Sequence, residues 1–160
     1  MSLDFDSARL PNNALTSEHH EWRAQLRRFF DREVIPYAEE WDENGAIPDE
    51  LWPKSAAVGI LGLGFPEEFG GITEGIDIWH SIILNEEMAR IAVGGIAATL
   101  MVHGIGLPPV INFGSEAIKQ LVAPPVLAGA KRISLAITEP GGGSDVARLQ
   151  TTARLDDDHY

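Results

Sequence analysis

The sequence predicts a mainly α-helical bundle followed by the beginning of an antiparallel β domain. Apolar residues recur at the spacing of a helix face through most of the first 130 positions. Glycine and proline punctuate these runs as helix stops. At Ile133 the pattern switches to the alternation of a strand. The expected division is a helical domain over residues 1–131 and the start of a β domain over 132–160. A hairpin of two strands is marginal alone and leaves unpaired edges, so the β domain over 132–160 reads as incomplete.

The first helix is expected from Ser17 to Ile35. Trp22, Leu26, Phe29 and Phe30 share one face, and Arg23, Arg27, Arg28 and Asp31 fill the other. Thr16 or Ser17 caps it, Glu18 and Glu21 suit its positive end, and Pro36 breaks it. A short helix over 37–43 stops at Asn44-Gly45, and a third runs from Pro48-Asp49 to Gly59. Residues 60–75, with Phe65-Pro66-Glu67-Glu68-Phe69-Gly70-Gly71, read as a structured loop. A long helix follows from Gly75 to Ile91, with Ile76, Trp79 and Ile83 on one face. Residues 92–103 are small or apolar on every side, which predicts a helix buried within the bundle. A short element around Val110 and Ile111 stops at Gly114. Ser115 caps a helix from Glu116 to about Val122, ahead of Pro124-Pro125. Strands are expected over 133–138 and 151–155, with a turn at 156–158.

Composition narrows the function classes. Of 160 residues, 44% are hydrophobic and 22% charged, as in soluble globular chains. The net charge of −12, without any basic block, argues against nucleic-acid binding. Glycines and prolines interrupt the apolar stretch 92–111, which favours a core helix over a membrane span. No signal peptide is visible, and the absence of cysteine suits a reducing, cytoplasmic setting.

The turn Glu139-Pro140-Gly141-Gly142-Gly143-Ser144-Asp145 carries the clearest chemical signal. Its glycines permit positive φ and close backbone approach, and its N–H groups with the Ser144 hydroxyl suit a pyrophosphate. The same residues also suit a tight connection between strands. There is no P-loop, because Gly143-Ser144-Asp145 lacks the lysine, and Glu67 replaces the third glycine after Gly62-Leu63-Gly64. Glu86 and Glu87 point about 100° apart on a helix, and Arg90 makes a helix-surface ion pair the expected reading. His19-His20-Glu21 and Asp158-His159 lack paired i, i+4 ligands, so no metal site is expected. His103 reads as a satisfied core or pocket-lining group.

Five ordered segments together resemble the acyl-CoA dehydrogenase family. They are Val34-Ile35-Pro36, the Phe65–Gly71 loop, Glu86-Glu87-Met88-Ala89, Phe113-Gly114-Ser115-Glu116 and the run ISLAITEPGGGSD from Ile133 to Asp145. The likeness covers nearly the whole chain from about residue 15. It implies a helical N-terminal domain, a middle β domain and a C-terminal four-helix domain. It further implies FAD as cofactor, an acyl-CoA substrate, an electron-transferring flavoprotein as partner and a homotetramer.

By the resemblance, Leu135, Ala136 and Ile137 run beside the isoalloxazine and Thr138 places a hydroxyl there. Gly143 and Ser144 meet the FAD pyrophosphate, Ser144 also lies near the CoA moiety, and residues around Met101 to Gly106 border the acyl pocket. Gly142 stands where the family commonly has alanine. The catalytic glutamate usually lies in the family's C-terminal domain, so no catalytic residue is assigned in this chain. The alternatives are a flavin-dependent monooxygenase or oxidase of the same architecture, or a non-catalytic helical interaction domain.

Overall fold

The computed structural model describes residues 3–158. Among them are seven α-helices: α1 Ser17–Glu33, α2 Ala38–Asn44, α3 Leu51–Ala57, α4 Ile78–Ala89, α5 Gly94–Met101, α6 His103–Phe113 and α7 Glu116–Leu127. α1 and α4 are the central pair. Leu26, Phe29, Phe30 and Val34 from the first meet Ile83, Leu84 and Met88 from the second, and Leu51, Trp52, Ile60, Leu61, Ile96 and Leu100 close the same core. A second cluster joins Leu107 of α6 to Ala123, Val126 and Leu127 of α7 beneath Phe69.

Both central helices begin with the same device. The Thr16 N–H donates to His19 Nδ1 at 3.0 Å, and the Asp77 N–H lies 3.2 Å from His80 Nδ1. In each, a side chain in the first turn reaches back to the capping residue, so a histidine takes the place of the glutamate usual in a capping box. The Asp77 carboxylate also accepts the Trp79 N–H at 2.9 Å. α2 stops at Gly45, whose φ of 63° is the left-handed conformation that glycine adopts without strain. Ser115 caps α7 by accepting the Ile118 N–H at 3.4 Å. Because that bond is long and exposed, Ser115→Ala is expected to cost only about 0.5–1 kcal/mol, measured by denaturant unfolding.

The structure corrects several expectations. Glu87 does not form a surface pair. Its side chain is fully buried, and it accepts from Arg23 at 3.0 Å, from Arg27 at 2.9 and 3.0 Å, and from Arg90 at 3.3 Å. Burial pushes the Glu87 carboxyl up, but the hydrogen bonds of Arg27 and Arg23 and the charges of Arg27 and Arg90 outweigh it and hold the group below its ordinary value. The pairing rule within one helix found Arg90 alone; Arg23 and Arg27 arrive from α1, which no local spacing reports.

α5 is not buried on all sides. Ile96 and Leu100 face the core, while Ala98 and Thr99 are exposed. α6 and α7 run through Pro108-Pro109 and Pro124-Pro125 rather than stopping at them. Burial of Leu107, Val126 and Leu127 offsets the backbone bonds that proline removes, a tertiary override of local propensity. The stretch 94–113 is long and apolar enough to cross a membrane by length and composition, yet it seats Ile96, Leu100 and Leu107 in the protein core.

The expected strands over 133–138 and 151–155 are not formed among the described residues. Both segments lack ladder partners there, and a strand is defined by its pairing rather than by its own sequence.

Candidate functional site

The glycine-rich segment reaches the surface through three fixed points. The first is Gly129, at φ 73°, which follows α7 and packs directly on the backbone of Trp52 and Pro53. The N–H groups of Ala130 and Lys131 both donate to the Pro125 carbonyl at 2.9 Å. The second is Arg132, whose guanidinium lies 4.1 Å from the centre of the Trp52 ring and pairs with Asp49. The third is Ile133, which crosses Gly106 of α6 so closely that a Cβ there would stand 3.2 Å from Ile133 Cγ1 and 3.3 Å from the Ser134 carbonyl carbon.

Beyond these anchors the chain is an exposed strap. Leu135, Ala136 and Thr138 are exposed and Ile137 is half-buried; Gly143 and Ser144 are exposed at the far side of the turn. The predicted site residues therefore lie along one surface segment. The turn itself is closed by reciprocal bonds, Glu139 N–H to Gly142 O at 3.1 Å and Gly142 N–H to Glu139 O at 3.0 Å. A Cβ at Gly141 or Gly143 would meet nothing within 4 Å, so the turn offers open approach to its backbone.

Glu139 has a role that sequence reasoning did not assign. Its carboxylate accepts the Gln150 N–H at 2.7 Å, the Thr151 N–H at 2.9 Å and the Thr151 hydroxyl at 2.6 Å. The Thr151 hydroxyl, with the Gln150 N–H, holds the Glu139 carboxyl below its ordinary value. The turn is thereby tied to the segment that follows it. Only the glutamate's place before Pro140 signalled this, and it gave no partner.

Beside the strap runs an open groove of about 460 Å³, lined by Ala98, Thr99, Val102, Arg132, Ile133 and Ser134. The small residues on the outer side of α5, expected to pack inside the bundle, instead form one wall of it. His103 lies behind this wall, buried, with Nδ1 3.3 Å from the Leu100 carbonyl. Burial holds its imidazole below the ordinary histidine value despite the neighbouring carbonyls. That is a core histidine, not a base presented to a ligand.

His19 does not stand alone. His19 Nε2 and His80 Nδ1 each lie 2.9 Å from Asp77 Oδ1, although the sequence offered no local ligand pair for His19. His159 lies outside the described residues.

The helical lobe thus carries an exposed glycine turn on a strap that runs beside an open groove. Comparisons make this specific. The model of the "Acyl-CoA dehydrogenase, N-terminal domain" family matches residues 16–130, and the chain belongs to the acyl-CoA dehydrogenase family. It is 38% identical over 141 residues to the mitochondrial long-chain specific acyl-CoA dehydrogenase of Sus scrofa, covering 88% of this chain and 32% of that protein. It superposes on the acyl-CoA dehydrogenase of Geobacillus kaustophilus with TM-score 0.77 at 33% identity, over 92% of this chain and 38% of that one. The acyl-CoA dehydrogenase of Bacillus anthracis, solved complexed with FAD, matches with TM-score 0.77 at 35% identity, over 92% of this chain and 25% of that one. The chain thus spans about a third of the length of the curated relative it matches.

Proposed function

We propose that this chain supplies the N-terminal helical domain and the first flavin-contacting strap of an FAD-dependent acyl-CoA dehydrogenase. The observation that carries the reading is the exposed, donor-rich strap of Leu135 to Ser144, anchored beside an open groove in a chain of this family. Its donor set fits the cofactor. The backbone groups from Leu135 to Ile137 and the Thr138 hydroxyl suit the polar edge of a flat ring, and the open turn at Gly143 and Ser144 suits a pyrophosphate.

When bound, FAD would accept the hydride removed from the acyl thioester. The chain's own residues orient and enclose. Leu135 and Ile137 offer apolar contact, Thr138 and Ser144 donate from their hydroxyls, and Glu139 holds the turn in shape through Thr151. The groove walled by Ala98, Thr99 and Val102 suits the acyl chain, because it is apolar along α5, and Ser144 serves the CoA moiety. No catalytic base is assigned to any residue of this chain.

In this reading residues 1–131 form one domain and 132–160 open a β domain, where the strap becomes a strand on pairing with further strands. An electron-transferring flavoprotein is the proposed electron acceptor. A homotetramer is the proposed assembly on the family resemblance alone. A cytoplasmic setting rests on the cysteine-free composition.

The test is the visible absorption of the protein purified as the cell makes it. A flavin band is expected, bleaching when an acyl-CoA is added without oxygen. A colourless protein that takes up no added FAD would overturn the proposal.

A further inference from the structure

We propose that His19, Asp77 and His80 form a binding site for a divalent transition metal, zinc(II) foremost, that clamps the N-termini of α1 and α4 together. Two imidazole nitrogens from different helices converge on one carboxylate oxygen, each at 2.9 Å, and all three ligand atoms lie within 4.8 Å of one another. An ion with bonds of about 2.1 Å in tetrahedral geometry sets its ligand atoms roughly 3.4 Å apart. The two short separations need to open by only about half an ångström to admit it.

The surroundings suit a bound ion. The rings of His19 and His80 are tilted by 59° with centroids 4.6 Å apart, so they flank the site rather than stack face to face. Both histidines are buried, which fixes their rotamers before any ion arrives. The Thr16 hydroxyl stands 3.1 Å from His19 Nδ1; with Nε2 on a metal the ring proton moves to Nδ1, which then donates to that hydroxyl in place of accepting the Thr16 N–H, the outer-shell bond typical of ligating histidines. Entry is open, because the Asp77 side chain is about half exposed and a groove of about 410 Å³ passes His80, Glu18 and Glu21. The fourth position falls to water.

Charge decides which ion. Each helix N-terminus contributes about half a positive charge, against a single carboxylate in the ligand set. Hard cations, which bind through oxygen and charge alone, are therefore disfavoured. Zinc(II), nickel(II) and cobalt(II), which bond well to imidazole nitrogen, are favoured.

The experiment is calorimetric titration of the 160-residue chain with zinc(II), repeated with cobalt(II) and read by its visible d–d band. The variants are His19→Gln, His80→Gln and Asp77→Asn. Glutamine is a capping-box residue at the position both histidines occupy, and asparagine is as good a cap as aspartate, so each variant keeps the local fold while removing a ligand. Binding is expected in the parent and weakened more than about tenfold in each of the three. Saturating zinc(II) is expected to raise the parent's Tm by about 5–10 °C at a hundredfold excess over Kd, and to leave the variants' nearly unmoved. Trp22, whose indole N–H donates to the His80 carbonyl at 3.1 Å, gives a fluorescence readout of the same event. His20→Gln, next in sequence and exposed, is expected to bind as the parent does. The proposal is overturned if the parent takes up no metal, if the ligand variants bind as tightly as the parent, or if His20→Gln abolishes binding.

Discussion

Replacing Glu87 with alanine is expected to destabilise the protein by about 3–5 kcal/mol, the cost of leaving buried opposite charges unpaired. Arg23, Arg27 and Arg90 converge on this one carboxylate from α1 and α4, and Arg9 approaches it at 3.7 Å. Removing it strands a cluster of like charges between the two central helices. Thermal unfolding is the direct measurement, with Tm expected to fall by roughly 6–20 °C for a chain of this size. Glu87→Gln retains volume and one acceptor and should lose less. The pH dependence has a definite sign. The folded carboxyl lies below its ordinary value, so its contribution is fully present above the ordinary carboxyl range. It is lost as pH falls from about 5 through the folded value. The parent should therefore lose stability over that window more steeply than Glu87→Gln does. Parallel acid-unfolding curves for the two proteins would show that the carboxylate is not what holds α1 to α4.

That network also marks where the sequence stops being legible. The apolar face of Trp22, Leu26, Phe29 and Phe30 was readable because a helix repeats its environment every three or four residues, and α1 buries most of that stripe. The Ser115 cap and the stop at Gly45 were readable for the same local reason. Glu87 was misread because its decisive partners lie about 60 residues away. The prolines at 108–109 and 124–125 misled because a local penalty was outweighed by burial at Leu107 and Leu127. The strap was legible as composition, three glycines and a serine after an alternating run, but not as geometry. Neither the Trp52 anchor nor the Glu139 clamp leaves a trace at short range, and the expected strands need partners that their own residues do not specify.

Gly129→Ala is the substitution that tests whether those anchors position the site. Two penalties combine there. A residue with a Cβ at φ 73° costs about 1–2 kcal/mol in the left-handed region. The added Cβ would also stand 2.5 Å from the Trp52 carbonyl carbon and 2.6 Å from Pro53 N, both backbone atoms of α3 that no rotamer change can clear. Overpacking of this kind costs a further ~1–3 kcal/mol. The expected total of about 2–5 kcal/mol is read by denaturant unfolding. Gly45→Ala isolates the first penalty, since Gly45 sits at φ 63° with nothing within 4 Å of its Cβ position. If the close approach matters, Gly129→Ala must cost clearly more than Gly45→Ala. It must also free the strap, because relief of the clash moves residue 129 away from α3 and takes Arg132 off the Trp52 ring and Ile133 off Gly106. Faster hydrogen exchange and protease cutting across 133–145 under native conditions are therefore expected in Gly129→Ala and not in Gly45→Ala. Equal unfolding costs and equal strap protection would mean that Gly129 supplies only a backbone conformation, and that the strap is held in place by the segments it pairs with rather than by α3.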